Sequence, residues 1–149
     1  MSAVATRPRL GFLGVGWIGQ KRLDAISASG VAEIAAVADP AVDGALPSLQ
    51  ELLNAELDGV VIATPSALHA DQAVAALEHG IAVFCQKPLA LDAPTARRVV
   101  DAARAADRLL AVDFCYRSTE AAQRVKQLVA AGELGEVYAI DLAFHNAYG

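Results

Sequence analysis

Residues 9–19 read Arg9-Leu10-Gly11-Phe12-Leu13-Gly14-Val15-Gly16-Trp17-Ile18-Gly19. A short apolar run enters the spacing G-x-G-x-x-G, and a helix-forming stretch follows at once. In that setting each glycine has its own task. Gly14 permits a tight turn, Gly16 lets the main chain approach a pyrophosphate, and Gly19 lets the helix pack close to the strand. Free N–H groups where the helix opens at Trp17 and Ile18, with the positive end of its dipole, then hold an anion without a lysine. Asp39 stands 20 residues beyond Gly19, at the end of the next apolar run. A carboxylate there accepts from the adenine ribose hydroxyls and repels a 2′-phosphate. No arginine adjoins it. The stretch is a dinucleotide site that prefers NAD to NADP.

Working outward, further apolar runs predict strands at 33–38, 59–63, 81–85 and 109–114. Helices are predicted at 17–29, after the Ser48 cap, at 67–79, after the Asp92 cap, and from Ser118 or Thr119 to residue 131. The strands are apolar throughout and do not alternate, so both of their faces are buried. Helices between them supply the cover. That is a doubly wound α/β fold with a mostly parallel, Rossmann-type sheet. Right-handed crossovers bring the carboxyl ends of the strands to one rim, where ligands bind. Only residues 40–47 separate Asp39 from Ser48, too few for a helix and a strand. The second crossover is therefore shortened to a loop with a stub of strand.

A chain of 149 residues, 55% hydrophobic, can bury a real core. A net charge of −5 argues against nucleic acid. The two cysteines, Cys85 and Cys115, make neither a disulfide framework nor a zinc pattern, and no metal site is expected. Both are read as buried, reduced thiols. No apolar run is long enough to span a membrane and no secretory leader opens the chain, so a soluble cytoplasmic protein is expected.

Phe84-Cys85-Gln86-Lys87-Pro88 ends a buried strand on a lysine backed by a rigid proline. Such a lysine is either a solvated loop charge or an amine held beside a cofactor in a partly desolvated cleft. Taken together, GVGWIG at 14–19, ADP at 38–40, VVIATPSALHADQAVAALEHGIAVFCQKPLAL at 60–91 and VDFCYRS at 112–118 resemble the Gfo/Idh/MocA oxidoreductases. The resemblance implies hydride transfer between nicotinamide and a sugar- or cyclitol-like secondary alcohol or carbonyl. It implies that Lys87, in the family's Glu-Lys-Pro signature, orients the reacting oxygen and assists proton transfer. Thr64, Pro65 and His69 match a segment that lines the cofactor, Gln86 and Pro88 flank the lysine, and Arg117 matches a basic residue of the family. Gln86 stands where the family carries glutamate, so Lys87 has no acidic neighbour in sequence.

The resemblance also divides the chain. Residues 1–117 correspond to the cofactor domain. Residues 118–149 correspond to a helix and the first strand of a second, substrate-binding domain that is otherwise largely absent. The strand is expected at 136–145, with Tyr138, Ile140, Leu142 and Phe144 on one face. Such a face offers a surface for homo-oligomers. Two other readings stand beside the enzyme. One is a non-catalytic NAD-binding module or a subunit completed by another chain. The other is a methyltransferase, against which Thr64-Pro65 and Lys87-Pro88 speak.

Overall fold

The structure is a computed structural model that describes residues 7–143 and residue 145. It falls into two units, one running up to Asp113 and the other starting at Phe114. The sequence places that boundary after residue 117.

The first unit holds five strands: β1 (Arg9–Leu13), β2 (Glu33–Ala38), β3 (Gly59–Ile62), β4 (Ala82–Gln86) and β5 (Leu110–Asp113). Between them run α1 (Trp17–Ser29), α2 (Leu49–Leu53), α3 (His69–Glu78) and α4 (Ala93–Ala106). All pairings are parallel, in the order β2-β1-β3-β4-β5. The chain leaves β1 for one side and returns to β3 on the other. Right-handed crossovers then set α1 on one face and α3 and α4 on the opposite face. Side chains alternate accordingly. Leu13, Val60, Ile62, Val83 and Cys85 join Leu52, Ala73, Ala76, Leu77 and Val99 in one buried cluster. Phe12 and Val61, one step along their strands, are buried on the other face.

The shortened crossover takes a specific form. Leu46 makes a single parallel bridge to Ala38 on the outer edge of β2. Its N–H donates to Val37 O at 2.8 Å, and its carbonyl accepts from Asp39 N at 3.0 Å. This is a strand reduced to one residue. The sheet is thus the dinucleotide-binding order 3-2-1-4-5-6 with its outermost strand pared down to Leu46.

The helix ends follow their caps. Ser48 accepts from Glu51 N at 3.3 Å and opens α2. Asp92 accepts from Thr95 N at 2.7 Å and opens α4. The side chain and backbone of Thr95 hold the Asp92 carboxyl below its usual range. The helix predicted at 67–79 begins instead as a 3-10 turn, Ser66–Leu68, before α3 takes over. Leu68 N donates to Pro65 O at 2.9 Å, an i→i+3 bond that tightens this first turn.

The second unit holds a 3-10 turn, Cys115–Ser118, and α5 (Glu120–Ala130), capped by Thr119. The strand expected at 136–145 is not formed: residues 137–143 carry no regular structure and are exposed, and Phe144 lies outside the described residues. A strand needs a partner to receive its N–H and C=O groups, and no neighbouring strand is present to receive them among the described residues of that unit. Cys115 also departs from expectation. It lies in the turn outside the sheet and is exposed, whereas Cys85 is fully buried and burial pushes its thiol up to about 12. A disulfide-exchange reagent should therefore titrate one thiol in the native chain and the second only in denaturant. Fast reaction of both would contradict the placement of Cys85.

Candidate active site at the carboxyl rim

Leu13, Ala38, Ile62, Cys85 and Val112 are register partners in one row across the sheet. The next residue on each strand stands at the carboxyl rim: Gly14, Asp39, Ala63, Gln86 and Asp113. Alignment of the five strands thus brings together residues that are far apart in sequence. Ligands of open α/β sheets bind at such a rim, where successive crossovers diverge. Here that point is β1/β3.

A cavity of about 730 Å³ opens there. Gly14, Gly16, Trp17, Ile18, Asp39, Thr64 and Pro65 line it, all of them singled out from the sequence. The shortened crossover supplies its far wall through Pro40, Pro47, Ser48 and Leu49. A second cavity of about 220 Å³ is lined by Ile18, Ala63, Thr64, Ser66, His69, Gln86 and Lys87. Ile18, Ala63 and Thr64 belong to both. The two form one groove with a glycine loop at one end and a lysine at the other.

The three glycines of the loop differ in what surrounds them. Gly14 has φ +84°, and a Cβ on it would lie 2.9 Å from the Ala63 and Thr64 backbone. A Cβ on Gly19 would lie 2.1 Å from Gly14 O. A Cβ on Gly16 would meet nothing within 4 Å. The fold itself demands glycine at 14 and 19 and leaves open space over 16. No side chain caps the start of α1, and its first turn carries no acid. The first N–H groups of the helix have no acceptor within it. A diphosphate fits this cradle by space, by donors and by dipole.

Asp39 is anchored rather than loose. Its Oδ2 accepts from Val15 N at 2.9 Å and its Oδ1 from Ala41 N at 2.9 Å. Each carboxylate oxygen can accept a second bond, so the group can still receive two ribose hydroxyls. Thr64 donates through Oγ1 to Gln72 Oε1 at 2.5 Å. Gln72 is a lining residue that the sequence reading missed. Its signal was present: it follows His69 by three, and residues so spaced on a helix share a face.

His69 is 1% exposed. Its Nδ1 lies 2.7 Å from Pro88 O and its Nε2 lies 2.8 Å from Thr64 O. Both partners are carbonyls, which accept from whichever ring nitrogen carries the hydrogen. The ring ties the end of β3 to the end of β4. His69→Ala removes the ring that bonds these carbonyls and opens a void in its buried place. It is expected to cost about 2–4 kcal/mol, read from urea denaturation. A loss below about 0.5 kcal/mol would mean that the ring ties nothing that matters.

Lys87 and Pro88 are exposed. The described residues thus do not enclose the lysine in the desolvated cleft that the sequence suggested, and it stands on the open side of the smaller cavity. The Gln86 side chain is buried and donates to Asp113 Oδ2, which also accepts from Arg22 Nε at 2.5 Å. Arg117 lies in the second unit, where its carbonyl accepts from the Gln123 amide. Among the described residues, no cluster of acids, histidines and cysteines could hold a metal, and no helix is long and apolar enough to cross a membrane.

Comparison with known proteins agrees with this geometry. The profile of the Gfo/Idh/MocA group, described as "Oxidoreductase family, NAD-binding Rossmann fold", matches residues 8–114. The rhizopine catabolism protein MocA of Rhizobium meliloti is 33% identical over 91% of this chain and 46% of its own length. Inositol 2-dehydrogenase 3 of Saccharopolyspora erythraea is 36% identical over 85% of this chain and 42% of its own. The WlbA dehydrogenase of Bordetella pertussis, solved in complex with NADH and UDP-GlcNAcA, superposes with a TM-score of 0.82 at 32% identity. That match covers 89% of this chain and 44% of the other. The chain spans a little under half the length of the relatives it matches. It belongs to the Gfo/Idh/MocA oxidoreductases, through their NAD-binding Rossmann domain.

Proposed function

We propose that this chain holds NAD in the rim groove and is the cofactor-binding part of a dehydrogenase acting on a sugar- or cyclitol-like secondary alcohol. The open space over Gly16 carries the reading: the fold does not need a glycine there, and a closely approaching diphosphate does. The dinucleotide would lie with its diphosphate on the start of α1, its adenine ribose at Asp39 and its nicotinamide toward Lys87. Pro40 and Ala41 follow Asp39, and among the described residues that line the larger cavity there is no arginine or lysine for a 2′-phosphate. The carboxylate would meet that phosphate as a like charge.

When bound, the nicotinamide supplies the hydride acceptor or donor. The residues of the chain position and exchange the proton. Oxidation of a secondary alcohol releases a hydroxyl proton as the hydride leaves carbon. In its free-amine form Lys87, which lines that end of the groove, would take it, and as the ammonium would return it in the reverse direction. The inositol dehydrogenase and the WlbA dehydrogenase among the relatives support a polyol or sugar as the substrate class.

Trp17 is the chain's one tryptophan and lines the groove. Excitation of the indole should therefore transfer energy to bound NADH, with weaker transfer for NADPH at equal concentration. Absence of transfer together with absence of heat in calorimetry would remove the reading. Equal response to both nucleotides would remove the role given to Asp39.

A further inference from the structure

Arg22, Gln86 and Asp113 form a cluster for which a cofactor groove has no evident need. Asp113 is almost wholly buried, and its Oδ2 accepts from both Arg22 Nε and Gln86 Nε2. The three residues come from α1, β4 and β5, and Gln86 and Asp113 are register partners on adjacent strands. A buried carboxylate is costly unless it is paired and hydrogen-bonded, and here it is both. Bonds to an ionised acceptor are also the stronger kind. The cluster thus ties the helix of the glycine loop to the two strand ends farthest from it.

Gln86 immediately precedes Lys87. On the other side of the lysine, Pro88 O is held by His69 at 2.7 Å. The exposed lysine therefore stands between two anchors, a buried side chain before it and a hydrogen-bonded carbonyl after it. We propose that Asp113 is a positioning residue for Lys87: with Arg22 as counter-charge it grips the Gln86 amide, and so fixes the direction in which the next residue carries its amine into the smaller cavity. The proposal rests on the reading of Lys87 as the amine beside the nicotinamide. It also accounts for an amide at position 86. A carboxylate there would face that of Asp113 with one guanidinium between two acids, and like charges so placed cannot both stay ionised cheaply.

The chain has three lysines, Lys21, Lys87 and Lys126. Reductive ¹³C-methylation keeps their charge and gives one NMR signal for each lysine beside that of the terminal amine, with that of Lys87 assigned by Lys87→Arg. NADH is titrated into the full chain and into Asp113→Asn, Gln86→Glu and the double exchange Gln86→Glu/Asp113→Asn. NADH should move the Lys87 signal in the unaltered chain. In Asp113→Asn the movement should be at least about twofold smaller, while energy transfer from Trp17 shows the nucleotide still bound. Gln86→Glu should lose the movement as well. The double exchange returns one acid and one amide to the pair and should restore it, an effect that general destabilisation does not produce.

Full movement in Asp113→Asn, or no recovery in the double exchange, overturns the proposal. Should Asp113→Asn fail to fold, the comparison of Gln86→Glu with the double exchange decides by the same criterion. If the unaltered chain binds NADH and its Lys87 signal stays still, the reading of Lys87 itself falls, and the positioning role with it.

Discussion

Gly19→Ala is expected to abolish the cofactor groove by undoing the fold around it. The added Cβ would stand 2.1 Å from Gly14 O and 2.9 Å from Gly14 C, both of them backbone atoms. Relief requires the helix and the loop to separate by roughly 1 Å or more. The loop has little freedom to give. Gly14 N donates to Ala38 O at 2.8 Å, and the position of its own Cβ is blocked by the Ala63–Thr64 backbone. The displacement would therefore pass into β2 and β3. We expect a loss of about 3 kcal/mol or more, a large share of the stability of a domain this size. Urea denaturation followed by circular dichroism measures it. A loss below about 1 kcal/mol would show that α1 does not pack on the loop as described.

Gly16→Ala should do the opposite, sparing the fold and removing the ligand. The backbone there, φ −58° and ψ −171°, suits any residue, and the added methyl meets no protein atom within 4 Å. Losing glycine at a helix start costs up to about 1 kcal/mol, and reduced freedom of the unfolded chain returns about half of that or more. Stability should stay within about 1 kcal/mol of the parent. The methyl, however, occupies the place of the diphosphate. Losing two or more charge-assisted bonds to it should weaken NADH binding by roughly 100-fold or more, read by calorimetry. Affinity within about threefold of the parent would place the phosphates elsewhere. The two alanine variants together separate what a glycine does for the chain from what it does for a ligand.

Local features of the sequence were enough for much of this molecule. Five apolar runs without alternation gave five parallel strands, although only the central β3 is buried throughout and the edge strands β2 and β5 are partly exposed. The rim residues were legible because each follows directly on a strand: Gly14 after Leu13, Asp39 after Ala38, Gln86 at the end of β4. The brevity of 40–47 foretold the stub at Leu46. The reach of a side chain across the fold was not legible. Arg22 and Asp113 are 91 residues apart, and neither shows a spacing or neighbour that points to the other. Gln86 drew attention through its place beside Lys87, but its actual partner is a residue on the next strand. The 136–145 segment failed for a related reason. Its pattern describes a face, and a face becomes a strand only when it is paired; among the described residues, 137–143 are not.

The single-residue stub also determines where new chain can be added without harm. Ala41 to Gly44 are exposed, Gly44 turns with φ +81°, and a Cβ on it would meet nothing within 4 Å. An insertion between Val42 and Gly44 would open the exposed turn closed by Ala45 N donating to Val42 O at 3.2 Å, and beyond that its cost grows with the logarithm of its length. The bridge at Leu46 would keep its place beside β2. The tip of this turn thus offers a graft point from which an arginine-bearing loop could be led back toward Asp39, to recruit a phosphorylated nucleotide without retouching the sheet.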